Sequence, residues 1–296
     1  MKYIVYISTL LIKSDKTIFD LIGLSFNQLN YSACATWNST GTYFINASSK
    51  PFGLFINTDN SIYVAEQNTN RFQVWSSAGG NPIRTASSGI NNPGAIFVTS
   101  NGDVYIDNGA SGNVLMWSSN STSGTNVMIV TTQLLKRSLS SSTNNATIVA
   151  GNGTSGSGLN TLNNPHGIFV DNNFTLYVAD YGQSRIICFR RGEFNGTVMV
   201  GSMVSGTISL FCPMGVVLDS NGYLFIVDQG NNRIVGSGPF GYRCLVGCSG
   251  SGSELNQLQG PRSLAFDTYG NLYVSDREND RIMKYTLTSN SCGKFH

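Results

Sequence analysis

Pro165-His166-Gly167-Ile168-Phe169-Val170 leads through Asp171-Asn172-Asn173 to Leu176-Tyr177-Val178-Ala179-Asp180, and Arg185-Ile186-Ile187-Cys188-Phe189 follows. The same pattern starts at Pro51, Pro93, Pro213 and Pro261. Self-similarity at a period of 40–50 residues is the mark of stacked supersecondary units. Each unit reads as three short apolar strands separated by turn formers such as Tyr181-Gly182-Gln183-Ser184. A fourth, outer strand follows in places, as in Thr147-Ile148-Val149-Ala150 and Thr197-Val198-Met199-Val200. Four-stranded units at this period predict an all-β fold, a β-propeller of four-stranded blades.

The prolines at 51, 93, 165, 213 and 261 are 42, 72, 48 and 48 residues apart. The long interval holds Val127-Met128-Ile129-Val130 and Gln133 to Leu139, and reads as a partial blade that keeps its outer strands and has lost its inner two. Five repeats plus one partial blade are therefore expected over residues 31–292, with residues 1–30 as an N-terminal segment. Propellers close by lending a strand from one chain end to the blade at the other. Thr42-Tyr43-Phe44-Ile45 is the natural donor to the last blade.

Pro-x-Gly, a strand, a turn, Leu-Tyr-Val-Ala-Asp, four loop residues and Arg-Ile resemble the NHL repeat. The stretches from Pro165 and from Pro213 to Ile234 match it well. The repeat from Pro51 carries Glu66 for the Asp, that from Pro93 carries Asn113 for the Arg, and that from Pro261 lacks the Gly. The resemblance spans about residues 51–287 and implies an NHL-type propeller, a fold whose usual ring has six blades.

Composition narrows the function. Hydrophobic residues make up 41% of the 296-residue chain, charged residues 11%, and the formal net charge is +2. The densest basic spots, Lys136-Arg137 and Arg190-Arg191, are brief, so nucleic acid is an unfavoured partner. Six cysteines allow fifteen pairings. Cys34, Cys212, Cys244, Cys248 and Cys292 are the disulfide candidates, with Cys34–Cys292 preferred because ring closure brings the chain ends together. Cys244-x-x-x-Cys248 has no second pair at zinc-finger spacing. Sequons at Asn38, Asn46, Asn120, Asn145, Asn152, Asn173 and Asn195 suit a secreted glycoprotein, although roughly six or seven are expected by chance from such a composition. Lys2 precedes an apolar run, Tyr3 to Ile12, read as a degenerate signal peptide and too short to span a bilayer. An extracellular location follows, with the cytoplasm as the alternative.

Glu66/Arg71, Asp180/Arg185, Asp228/Arg233 and Asp276/Arg281 share one spacing. Recurrence in four repeats marks them as structural pairs, each Arg folding back on the acid that ends the preceding strand. Asp171, Asp219 and Asp267 fall where hairpin turns take Asx residues. No residue is assigned to catalysis, to a metal or to a cofactor. With His166 and His296 as the only histidines, the chain lacks the histidine set of the amidating lyases that share this architecture. The loops before the first strand and between the second and third open on one face. There Phe52, His166, Tyr181, Met214, Gln229, Arg262 and Arg277 are the candidate binding residues. The expected function is a non-enzymatic, monomeric scaffold for a protein or peptide, with a glycan as a further ligand class. The alternatives are a metal-dependent propeller hydrolase or lactonase, and an intracellular module that binds RNA or serves a ubiquitin ligase.

Overall fold

The computed structural model describes residues 29–291 except 33, 47–48, 100, 110, 112, 120, 130–133, 137–146, 151, 153 and 203. Blade I comprises Pro51–Ile56, Ile62–Glu66, Arg71–Trp75 and Arg84–Ala86; blade II comprises Ile96–Val98, Val104–Asn108, Asn113–Trp117 and Thr125–Ile129. Blade III comprises Pro165–Val170, Leu176–Asp180, Arg185–Phe189 and Thr197–Val200. Blade IV comprises Pro213–Leu218, Leu224–Asp228, Arg233–Gly238 and Gly241–Val246. Blade V comprises Pro261–Phe266, Leu272–Asp276, Arg281–Tyr285 and, from the other end of the chain, Thr42–Asn46. The first strands of blades III, IV, V, I and II neighbour one another in that order around the axis, which makes a five-bladed β-propeller.

A blade is covered on both faces by its neighbours, which is why its strands are apolar without alternation. Every residue of Ile62–Glu66, Val104–Asn108, Arg185–Phe189, Leu224–Asp228 and Leu272–Asp276 is buried. Burying each large aliphatic or Phe side chain contributes about 1.5–3 kcal/mol, so the sheet faces supply most of the cohesion.

The polar order sits at one corner of each blade. Asp180 Oδ2 accepts Arg185 Nε at 2.8 Å, and its Oδ1 accepts the Asn163 N–H from the lead-in loop at 2.7 Å. Asp228 does the same for Arg233 and Phe211, and Asp276 for Arg281 and Gln259. The remaining nitrogens of Arg185 reach the carbonyls of Ser157, Gly158 and Thr161; those of Arg281 reach Ser253, Glu254 and Gln257. In blade I the extra methylene of Glu66 changes the pattern. Its Oε2 takes Thr69 and Arg71, while its buried Oε1 meets no donor. Blade II substitutes a neutral pair, Asn108 Nδ2 donating to Asn113 Oδ1 at 2.9 Å.

A second device links successive blades. The residue before each leading proline has positive φ: Lys50, Asn92, Asn164, Cys212 and Gly260. That conformation costs a non-glycine residue about 1–2 kcal/mol and is held by its surroundings. Lys50 N–H donates to Asp280 Oδ1, Asn92 to Asn70 Oδ1, Cys212 to Ser184 Oγ and Gly260 to Asn232 Oδ1, at 2.9, 2.7, 3.2 and 2.7 Å. Each acceptor belongs to the preceding blade and is itself left-handed, with φ between 48° and 53°.

Residues 29–32 and 34–40 strap the opposite face. Tyr31 and Trp37 are buried among Phe225 and Phe266, and Trp37 Nε1 donates to Gly270 O at 2.8 Å. The strand Thr36–Trp37 then pairs with Leu287–Ser289, and Thr42–Asn46 closes the ring on Arg281–Tyr285. Between blades II and III in the sequence, Leu134–Lys136 pairs, among the described residues, only with Thr147–Ala150, the partial blade. One assignment changes. Val127–Ile129 belongs to blade II, because Thr125–Ile129 pairs with Asn113–Met116 as that blade's fourth strand.

Removing an acid from a corner leaves a buried guanidinium unpaired. Arg185 and Arg281 are 2% exposed, whereas Arg233 and Arg71 are 24% and 33% exposed. Asp180→Ala and Asp276→Ala should each cost about 3–5 kcal/mol in urea unfolding, and Glu66→Ala clearly less. Equal losses at all three positions would contradict this account of the corners.

Candidate ligand site at the channel mouth

The second residue of each lead-in motif is the second residue of an innermost strand in blades I, III, IV and V, and lies two residues before that strand in blade II, so Phe52, Gly94, His166, Met214 and Arg262 stand at the same end of the five blades. Three of them meet. The Arg262 guanidinium lies 5.3 Å from the Phe52 ring centre, and its Nη1 is 3.5 Å from Met214 Sδ. In blade III, next to the blade of Met214, His166 packs edge-on against Tyr181 with centroids 5.0 Å apart. Guanidinium over an aromatic face contributes about 0.5–1 kcal/mol at exposed sites and more as water is excluded.

Phe52, Tyr181, Gln229, Arg262 and Arg277 are partly exposed, as a recognition surface requires. His166 and Met214 are not; both are buried, at 7% and 3%. Their places at the starts of innermost strands, against Tyr181 and under Arg262, take them out of solvent. Arg277 turns away from the mouth. Its Nε and Nη2 donate to Gln67 Oε1 at 3.1 and 3.0 Å, and its Nη1 pairs with Glu278. Lys50 Nζ lies 3.1 Å from Glu278 and 3.8 Å from Asp280, so this network joins blades V and I. Gln67, Lys50, Glu278 and Asp280 went unnoticed in the sequence; the clustered charges of Arg277-Glu278-Asn279-Asp280 were the available signal.

Burial, assisted by the Arg262 charge, lowers the His166 pKa to about 4. The imidazole is therefore neutral at physiological pH. Burial raises the Asp180 and Asp276 carboxyls against the pull of their hydrogen bonds. Asp171, Asp219 and Asp267 serve their hairpins, each Oδ1 accepting two backbone N–H groups. No grouping of three or more His, Cys, Asp or Glu able to hold a metal occurs among the described residues.

Cys244 is bonded to Cys248. Cys34 is also disulfide-bonded, while its expected partner Cys292 lies outside the described residues. Cys212 is a free thiol rather than a disulfide member, as is Cys188. Cys212 sits at the left-handed lead-in position, where its backbone is engaged by Ser184.

No protein-family model matches the chain, and no curated protein matches it. Solved structures do. The PQQ-bound aldose sugar dehydrogenase of Streptomyces coelicolor is 11% identical, with 87% of this chain and 100% of that one covered, at a TM-score of 0.58. A luciferin-regenerating enzyme is 13% identical over 82% and 93% of the two chains, at 0.53. A structural genomics protein of unknown function from Bacteroides thetaiotaomicron VPI-5482 is 13% identical over 86% and 74%, at 0.52. At these identities the likeness concerns the fold alone: the chain is a β-propeller.

The His166 shift has a signed consequence. A histidine whose folded pKa lies below its unfolded value of about 6.5 withdraws stability as pH falls from there towards 4. Its contribution to the loss is about 3 kcal/mol. The raised carboxyls of Asp180 and Asp276 act in the opposite sense, so the comparison must be between variants. Melting curves from pH 7 to 4 should show His166→Gln losing clearly less stability than the wild type; parallel curves would exclude the buried neutral imidazole.

Proposed function

We propose that this propeller is a non-enzymatic NHL-type scaffold, secreted, which binds a protein or peptide partner at the channel mouth. The observation that carries the reading is the Phe52–Arg262–Met214 band, drawn from blades I, V and IV and held on rigid corners. Aromatic, Met and Arg side chains are the enriched anchors of protein interfaces. The corner acids support the same reading, because Asp180, Asp228 and Asp276 each spend both oxygens on structural donors. They belong to the frame.

The test compares immobilised wild type with Phe52→Ala/Arg262→Ala in capturing partners from an extracellular protein mixture. Phe240→Ser serves as the control, since Phe240 is 89% exposed at a hairpin tip on the opposite face. A partner held by wild type and by Phe240→Ser, and weakened at least tenfold by the mouth variant, supports the proposal. Retention by the mouth variant, or loss only with Phe240→Ser, overturns it.

The extracellular reading draws on the Cys244–Cys248 bond and on the exposure of Asn38, Asn152, Asn173 and Asn195. Asn120 and Asn145 lie outside the described residues. Among the described residues no helix is long and apolar enough to cross a membrane. Expressed through a eukaryotic secretory pathway, the chain should lose mass to a glycosidase and gain about two mass units per reduced disulfide. Cell-retained protein with free thiols and no glycan would reverse this assignment.

A further inference from the structure

The hairpins between third and fourth strands open on the face away from the mouth. In blades III and IV these hairpins are neighbours, since the Tyr242 hydroxyl donates to Met199 O across the two outer strands at 3.4 Å. Each carries an exposed phenylalanine. Phe194 is 64% exposed, and Phe240, at 89%, is the most exposed large apolar side chain among the described residues. Phe240 lies in the short turn between the six-residue strands Arg233–Gly238 and Gly241–Val246, whose pairing runs out to Gly238 and Gly241 and holds it clear of the ring.

The arginines divide between the two faces. At the mouth end Arg71, Arg185, Arg233, Arg277 and Arg281 each meet a carboxylate. Arg190, Arg191 and Arg243, beside the two phenylalanines, are exposed and form no salt bridge among the described residues. Arg243 donates to Ala35 O of the strap, and Arg191 lies 5.2 Å from the Phe174 ring centre. Phe174 is itself an exception, with φ of 61° at the hairpin position that the other blades give to Asn60, Gly102, Gly222 and Gly270. An aromatic residue in the left-handed region is strained, and this one props up an arginine. Beyond the corner arginines, residues 186–200 and 234–246 hold three arginines and one acid, Glu193. Asp171 and Asp219, in the first hairpins of the same blades, are turned onto backbone N–H groups.

We propose that this edge of the ring docks on a lipid surface with anionic headgroups, Phe194 and Phe240 entering the interface while Arg190, Arg191 and Arg243 meet the phosphates. Apolar side chains below the headgroups with cations at their level is how proteins lie on a membrane without crossing it. Each arginine near an anionic surface adds to the attraction. A soluble polyanion would use the arginines and leave both phenylalanines in water. A second copy docked by two-fold symmetry would set the same arginines against each other. Asn173 and Asn195 lie in sequons beside Phe174 and Phe194, so the contact requires both to stay without glycan. The face is opposite the mouth, and the docking is independent of what the mouth binds.

Flotation of the full chain with vesicles tests this, using phosphatidylcholine alone and phosphatidylcholine mixed with phosphatidylserine. Wild type should float with the mixed vesicles and bind neutral ones about tenfold more weakly. Phe194→Ser/Phe240→Ser and Arg190→Gln/Arg191→Gln should each weaken binding to the mixed vesicles about tenfold or more, at unchanged melting temperature. Phe52→Ala/Arg262→Ala should float like wild type. The proposal fails if wild type does not float, if it floats equally with neutral vesicles, or if the phenylalanine variant floats as well as wild type. It fails too if peptide mapping of the secreted chain finds glycan at Asn173 or Asn195. Capture of wild type and the phenylalanine variant alike on heparin, without flotation of either, would reassign the arginines to a soluble polyanion.

Discussion

Blades III, IV and V each stand on one carboxylate with two jobs. One oxygen holds the arginine that crosses the hairpin, and the other holds the backbone of the loop leading into the innermost strand. That single group sets the second-to-third hairpin, the lead-in loop and the height of the inner strand relative to one another. The side chain before the arginine then carries the constraint to the next blade by accepting the N–H of a residue held in left-handed conformation. Apolar burial supplies the magnitude of the stability. The corners supply the register, since flat apolar sheets stacked face to face would otherwise slide. A buried ion pair is weak evidence for net stability, but here it is the part that selects one stacking among many.

Much of this was legible in the primary structure because it recurs. A five-residue acid–arginine spacing seen once says little; seen in four blades, it can only be architecture. The closing strand Thr42–Asn46 was readable for a similar reason, as an apolar strand left over before the first repeat. What escaped notice lay between repeats. The stitches use a side chain from one unit and a backbone group from the next, so neither unit alone displays them. The assignment of Val127–Ile129 to the partial blade failed because an apolar run does not say which blade it joins, and an outer strand's partner is set only by pairing.

The candidate site was located less well than the fold. Position within the motif puts Phe52, His166, Met214 and Arg262 at the same place in four innermost strands, yet exposure does not follow from position. Two neighbours decide it, and in this ring Arg262 and Tyr181 cover what the sequence left open. Asp107 is an acid in the column where the other repeats have Ala65, Ala179, Val227 and Ser275. This departure emerges only when the repeats are aligned by strand pairing, because blade II starts its motif Pro93-Gly94-Ala95 and ends its strand Asp107-Asn108.

Apart from Glu66 in blade I and Ser263 in blade V, the departures from the repeat fall together. Gly94, Asp107, Asn108, Gly112 and Asn113 all fall in blade II, immediately before the 72-residue interval that holds the partial blade. Random drift would spread such changes over five blades that bear equal loads. Their concentration follows if an incomplete neighbour removed the constraint that the others obey, since a stitch has value only where a complete blade receives it. The same relief lets a carboxyl occupy a position that elsewhere must be small to admit the next inner strand. The mouth positions obey the complementary logic. Their backbone does the structural work, so their side chains differ from blade to blade: Phe52, Gly94, His166, Met214 and Arg262.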